Sequence, residues 1–135
     1  MNATDSLEAS IGNALFLNQP LAIAQWQVHL YSVAPSDDGL GGTEINGASY
    51  APVRCDPGAE RWAKDASQTS GATVFRNLAP IQFPTATTAW PSITTVVLKD
   101  QDGTPRLVVP LTTPKPVAPG DVPVFLAGEL EIHIG

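Results

Sequence analysis

A single cysteine, Cys55, leaves this 135-residue chain no intrachain disulfide and no cysteine-built zinc site. Stability therefore comes from packing or from neighbouring chains. Positive charge is also scarce: seven lysines and arginines against thirteen acidic residues give a formal net charge of -6. The basic residues are scattered, with only Arg54, Arg61 and Lys64 in a loose group. Nonspecific affinity for a phosphate backbone needs several cations acting together, so nucleic acid is not an expected partner. No apolar run approaches the roughly 20 residues of a membrane span, and the N-terminus carries Asp5 and Glu8 without a basic leader, so no membrane partner and a cytosolic site of synthesis are expected. There is no G-x-S-x-G elbow, no H-E-x-x-H and no phosphate-cradling glycine motif. No catalytic residue and no cofactor is assigned, and the chain reads as a non-enzymatic protein.

What is present describes a β-rich globular domain. Hydrophobic residues make up 43% of the chain, enough to build one core, while 13 prolines and 11 glycines punctuate it with turns and exclude long helices. One N-terminal helix is expected, because Asp5 can act as a cap with Glu8 three residues on, and Leu7, Ile11, Ala14 and Leu15 recur at helical spacing. Asn18 and Pro20 should stop it near Leu17. From Gln25 to Val33 the residues alternate, with Trp26, Val28 and Leu30 on one side and Gln27, His29 and Tyr31 on the other, the pattern of a strand. Residues 34–49, with Pro35 and four glycines, read as a long mobile loop. Further strands are expected at Tyr50 to Cys55, Thr73 to Phe75, Leu78 to Phe83, Ile93 to Leu98 and Arg106 to Leu111, the last two joined by a tight turn at Asp102 and Gly103. Residues 112–121 read as a rigid proline-studded connection. Val122 to Leu126 and Glu129 to Ile134 follow as strands, the final one placing Leu130, Ile132 and Ile134 on a single face. The fold class is mainly β: a β-sandwich of short antiparallel strands with one N-terminal α-helix. A single domain over residues 1–135 is expected, with a helical arm at 1–20 and a sandwich body at 21–135.

Several groups invite a chemical reading. His29 and His133, with Glu131, offer too few ligands for a metal and are better read as solvent-facing strand residues. Asp37, Asp38 and Glu44 crowd the glycine-rich loop, and Asp100 to Gly103 forms DQDG, but neither group has the EF-hand spacing; loop solvation and a hairpin turn account for them. No metal ligand is assigned. Cys55 reads as a buried, inert thiol beside Arg54. Trp26 reads as core, whereas Trp62 and Trp90 lie in less regular stretches where either can anchor an interface, with core packing the expected role for at least one of the tryptophans.

Three passages carry a family likeness: SDDGLGGTEINGASY, IQFPTATTAWPSIT and PLTTPKPVAPGDVPVFLAGELEI. In the order and character of these segments the chain resembles a family of small tailed-bacteriophage proteins described as tail-fibre-like, with an N-terminal helix and a β-rich body. Residues 55–77 depart from that family's pattern. The resemblance implies a structural component of the virion, either decorating the head or belonging to a tail or collar fibre, present in the host cytoplasm before assembly. The partners it implies are other copies of the chain and a major virion protein, capsid or tail. The candidate interface residues are Leu7, Ile11, Leu15, Trp62 and Trp90. The alternative is a module that binds host-surface glycan through Trp62, Trp90 and polar loops.

Overall fold

The computed structural model describes residues 2–66 and 71–135, and among them the chain forms one helix, α1 (Asp5–Phe16), and ten strands. The strands are β1 (Gln27–Val33), β2 (Thr43–Glu44), β3 (Val53–Arg54), β4 (Trp62–Lys64), β5 (Thr73–Asn77), β6 (Ile81–Gln82), β7 (Trp90–Lys99), β8 (Pro105–Val117), β9 (Val124–Phe125) and β10 (Glu131–Ile134). Residues 67–70, within the stretch that departs from the family pattern, lie outside the described residues.

The strands form three antiparallel sheets. The largest runs β2-β1-β7-β8, with β3 sharing the edge of β1 that β2 also uses; β10-β5-β4 and β6-β9 make the others. The alternation in β1 sets the register of the large sheet. Val28 stands opposite Leu98 and Leu98 opposite Leu107, while Leu30, Val96 and Val109 form the next rank, so six apolar residues share one face. That face packs against Leu130 and Ile132 from the β10 side and against Phe83 and Phe125 of the β6-β9 ribbon in one continuous core. Phe83 and Phe125 meet edge to face, with centroids 6.3 Å apart. The architecture is thus mainly β, with antiparallel sheets packed over a common core and a single N-terminal helix.

Helix α1 begins one residue earlier than the spacing of Asp5 and Glu8 suggests. Thr4 is the cap, its Oγ1 accepting from Leu7 N, and the helix ends at Leu17, whose amide donates to Asn13 O at 3.0 Å. The residues before it act as a strand. Thr4 N donates to Arg106 O and Val108 N to Asn2 O, while on the other side Asn2 N donates to His133 O and His133 N to Asn2 Oδ1. Residues 2–4 are therefore stitched between β8 and β10 and join the two larger sheets. Residues 2–4 and Leu7 are thus packed into the body.

Three expectations from sequence are corrected. Residues 112–117 do not form a connection: β8 continues through Pro110, Pro114 and Pro116 to Val117. An edge strand tolerates proline, because its missing amide need not face a partner. The stretch 34–49 is only partly loop, since β2 pairs with β1 and Ile45, which is buried, donates its amide to Leu30 O. In Leu78 to Phe83 the strand shrinks to Ile81–Gln82. The cause is Asn77, which is fully buried: its Nδ2 donates to Ala79 O, Phe125 O and Leu126 O, and its Oδ1 accepts from Leu130 N. One side chain thus bonds to the backbone of two turns, including the buried Phe125 O and Leu130 N.

Replacing Asn77 by alanine removes every one of these bonds and leaves the buried Leu130 amide without its acceptor and Ala79 O and Phe125 O without this donor, while Leu126 O keeps the Glu129 amide. The expected loss is about 2–4 kcal/mol of unfolding free energy by urea titration. A loss below about 1 kcal/mol would show that water fills the site without penalty.

Candidate functional site

The five candidate interface residues do not form one surface. Leu7 is only 5% exposed and lies in the core, where α1 packs on β8. Trp90 is also 5% exposed: its indole donates to Ala48 O at 3.1 Å, Tyr50 meets it edge-on, and the chain at Gly47 runs so close that a Cβ there would fall 2.1 Å from the indole. Both are corrected from surface anchors to core residues. The remaining three, Ile11, Leu15 and Trp62, are placed where another molecule can reach them.

Ile11 and Trp62 line an apolar pocket of about 440 Å³. One wall is α1, through Leu7 and Ile11; a second is the returning segment at Leu21, Ile23 and Trp26; the third is Phe75, Ile132 and Ile134 from the smaller sheet. The walls are held by polar contacts behind them. Arg106 donates to Ser6 O and Ser10 Oγ on α1, and Gln101 grips the returning segment by donating to Ala22 O and accepting from Ala24 N. The Trp62 indole N–H is engaged by Cys55 O at 3.1 Å, so its ring faces the pocket with no free donor.

At the bend between two of these walls stand Leu15, Phe16 and Leu17, exposed by 71%, 84% and 63%. Asn18 makes the bend by adopting φ 55°, and both Leu17 N and Gln19 N donate to Asn13 O, so the bend is a hydrogen-bonded helix terminus. Leu15 continues the stripe of Leu7 and Ile11 one turn beyond the sheet. Phe16 and Leu17 were missed by the sequence reading because helical periodicity assigns them no common face with Leu15. An unbroken apolar triplet before a helix stop was the signal available.

A second cluster lies on the opposite face of the large sheet. His29 Nδ1 is 2.5 Å from Glu44 Oε2, the Tyr50 hydroxyl donates to the same oxygen at 2.7 Å, and Lys99 Nζ lies 3.6 Å from Glu44 Oε1. Leu30 N donates to the Tyr50 oxygen at 3.0 Å, which ties the group to β1. These contacts lock residues 43–50 onto the sheet. The expectation that His29 faces solvent is therefore corrected: it is buried, and its Nε2 finds no protein partner among the described residues. Burial pushes the imidazole below its ordinary value, with Lys99 adding to that and Glu44 opposing it. Burial would raise the Glu44 carboxyl, but the donors His29 and Tyr50 and the charges nearby hold it below the usual carboxylate range.

The other chemical candidates stay apart. His133 sits on β10 beside Glu131, away from His29, and no group of three or more possible metal ligands is found among the described residues. Asp38 accepts from Ser36 Oγ and Leu40 N, and thereby shapes its own turn. Asp100 accepts from Asp102 N, Thr104 N and Arg106 Nε, shaping the β7–β8 turn. Cys55 is buried, which pushes its thiol up.

The His29 cluster predicts a pH dependence. In the unfolded chain His29 gains its proton near its ordinary value, but in the folded chain only at lower pH. Between those values the unfolded state binds the extra proton, so stability is complete above pH about 6.5 and falls as the pH drops below it. The urea midpoint is expected to fall between pH about 7.5 and 5.5, and to fall less in His29→Gln. Parallel curves for the two proteins would remove His29 from this role.

Compared with known families, residues 2–133 match the model described as "Podophage GP4 fiber I protein gp80". The match spans residues 55–77, the stretch that departs from the pattern expected of the family. No curated protein matches the chain.

Proposed function

Since the chain belongs to the podophage fibre I protein family, and is by that membership a phage fibre structural protein of the virion, we propose that it works without catalysis, by protein–protein contact with other copies and with a larger virion protein. The observation that supports this is the family match over residues 2–133. The surface agrees with it: among the described residues, three of the four least buried large apolar side chains, Leu15, Phe16 and Leu17, follow one another at the end of α1, the helix that walls an apolar pocket, and subunit contacts cover surface of this kind. Synthesis in the host cytoplasm precedes assembly in this reading, and a tail or collar position accords better with a fibre family than head decoration does.

The glycan-binding alternative draws nothing from the geometry. Trp90 is enclosed by Tyr50 and the chain at Gly47, and Trp62 faces an apolar pocket with its N–H already bonded, so the two do not offer a sugar platform.

Copy number tests the assembly reading. Quantitative mass spectrometry of purified particles against the major capsid protein should find this chain at a handful to a few tens of copies, and gold-labelled antibody should mark the tail or collar. Hundreds of copies spread over the head would assign it to decoration, and absence from purified particles would overturn the virion role. Deleting the N-terminal segment through the helix is a poor probe, because Ala3, Thr4 and Leu7 are buried and their removal strips part of the core.

A further inference from the structure

We propose that the apolar end of α1 and the adjoining pocket form a self-complementary interface, in which Phe16 and Leu17 of one copy enter the pocket of a second copy and receive the same contact in return. The proposal deepens the assembly reading and rests on it for its biological use.

Three observations point to a second copy of this chain as the occupant. The first is adjacency. Helix α1 supplies one wall of the pocket and the segment returning from Leu21 supplies another, and the bend carrying Leu15, Phe16 and Leu17 is the stretch of chain that joins these two walls. When a projection and a matching recess lie side by side on one face, a two-fold axis between them seats both projections at once and leaves neither free to recruit further copies. A projection and a recess on opposite faces would instead build an open filament.

The second observation is charge. No Asp, Glu, Lys or Arg occurs between Ala9 and Ser36, and no charged residue lines the pocket. Copies that each carry a formal net charge of -6 repel one another, and a contact face without charged residues adds no local repulsion to that. A strongly basic partner would be met by an acidic face, and a nucleic acid by a basic one.

The third is area. Leu15, Phe16, Leu17 and Leu21, exposed by 44% to 84%, leave several hundred Å² of apolar surface in water, near the upper limit of about 600 Å² for one patch on a monomer. A standard interface buries about 800 Å² on each partner. The projection together with the lip of the pocket is a surface of that order, and the two-fold arrangement covers both on each copy. Burying an aromatic ring in a recess lined by Trp62, Phe75 and Ile134 is the arrangement found at interface hot spots.

The test uses the full chain and the double variant Phe16→Ser, Leu17→Ser. Both side chains point into solvent, so melting temperature is expected to stay within a few degrees of the parent. Sedimentation velocity should show a concentration-dependent dimer for the parent and a monomer for the variant, with the dissociation constant raised at least about 100-fold. Added salt should leave the parent dimer unchanged or tighten it, since screening relieves repulsion between acidic copies. The dye 1-anilinonaphthalene-8-sulfonate reports on the pocket: its fluorescence should be low with the dimer and rise with the variant, whose pocket is open. A parent chain that stays monomeric to about 100 μM, or a dimer that survives the double substitution, overturns the proposal. Particle incorporation is scored separately. If the parent is monomeric and the variant fails to incorporate, the face serves another virion protein, which sinks the second-copy assignment while leaving the assembly reading intact. If the parent dimerises as described but is absent from particles, the interface stands and the assembly reading falls.

Discussion

Arg106 is the point at which the helix, the longest hairpin and the N-terminal segment are held together. Its carbonyl accepts from Thr4 N, which completes the path from β8 through residues 2–4 to β10. Its guanidinium reaches Asp100 at 2.8 Å on one side and Ser6 O and Ser10 Oγ on the other. Asp100 is fully buried, and burial alone would raise its carboxyl; the bond from Arg106 and the amides of Thr104 and Asp102 more than offset this and hold it below the usual carboxylate range. A carboxylate so enclosed cannot lose its cation cheaply, and that constraint fixes where the β7–β8 turn sits. The same cation positions α1, so the helix wall of the pocket and the turn carrying Gln101 move as one piece. The placement of the helix wall thus follows from an ion pair that holds Ser6 and Ser10.

Much of this frame was legible in the sequence, for a physical reason that differs from element to element. The alternation of Gln27 to Val33, the β-branched run ending at Leu98 and the faces of Leu130, Ile132 and Ile134 all reflect burial of one side of a strand, which a period of two records directly. Asp102 and Gly103 specify their turn locally. By contrast, the lock formed by His29, Glu44, Tyr50 and Lys99 joins four positions spread over seventy residues, and nothing in the local chemistry of a glycine-rich loop marks Glu44 as a partner for a strand histidine. Asn77 was invisible for the same reason, since its role depends on backbone groups from residues 79 to 130. Leu7 and Trp90 were misread because type and spacing show that a side chain is apolar without showing on which side of it the protein lies. Of the five residues singled out for contact, Ile11 and Trp62 line the pocket and Leu15 is exposed at the end of α1, whereas Leu7 and Trp90 are buried.

The two faces of the large sheet divide the work. The inner face is apolar throughout and contributes packing. The outer face carries the charged lock, which secures a segment whose own sequence has little tendency to order. Loss of that lock would free the stretch between β1 and β3 and uncover Trp90 and Tyr50, while leaving α1 and the pocket in place, because those are tied through Arg106 and Gln101.

Proline in β8 has a consequence for how copies can and cannot meet. The outward edge of this strand is occupied by residues 2–4 opposite Arg106 and Val108. The next residue of that outward set is Pro110, which has no amide to offer, and Pro114 and Pro116 follow. An incoming strand would therefore find no regular ladder to extend along this edge. Growth by strand addition along this edge is blocked by chemistry. That difference separates a particle part with a finite number of neighbours from a chain that stacks without end.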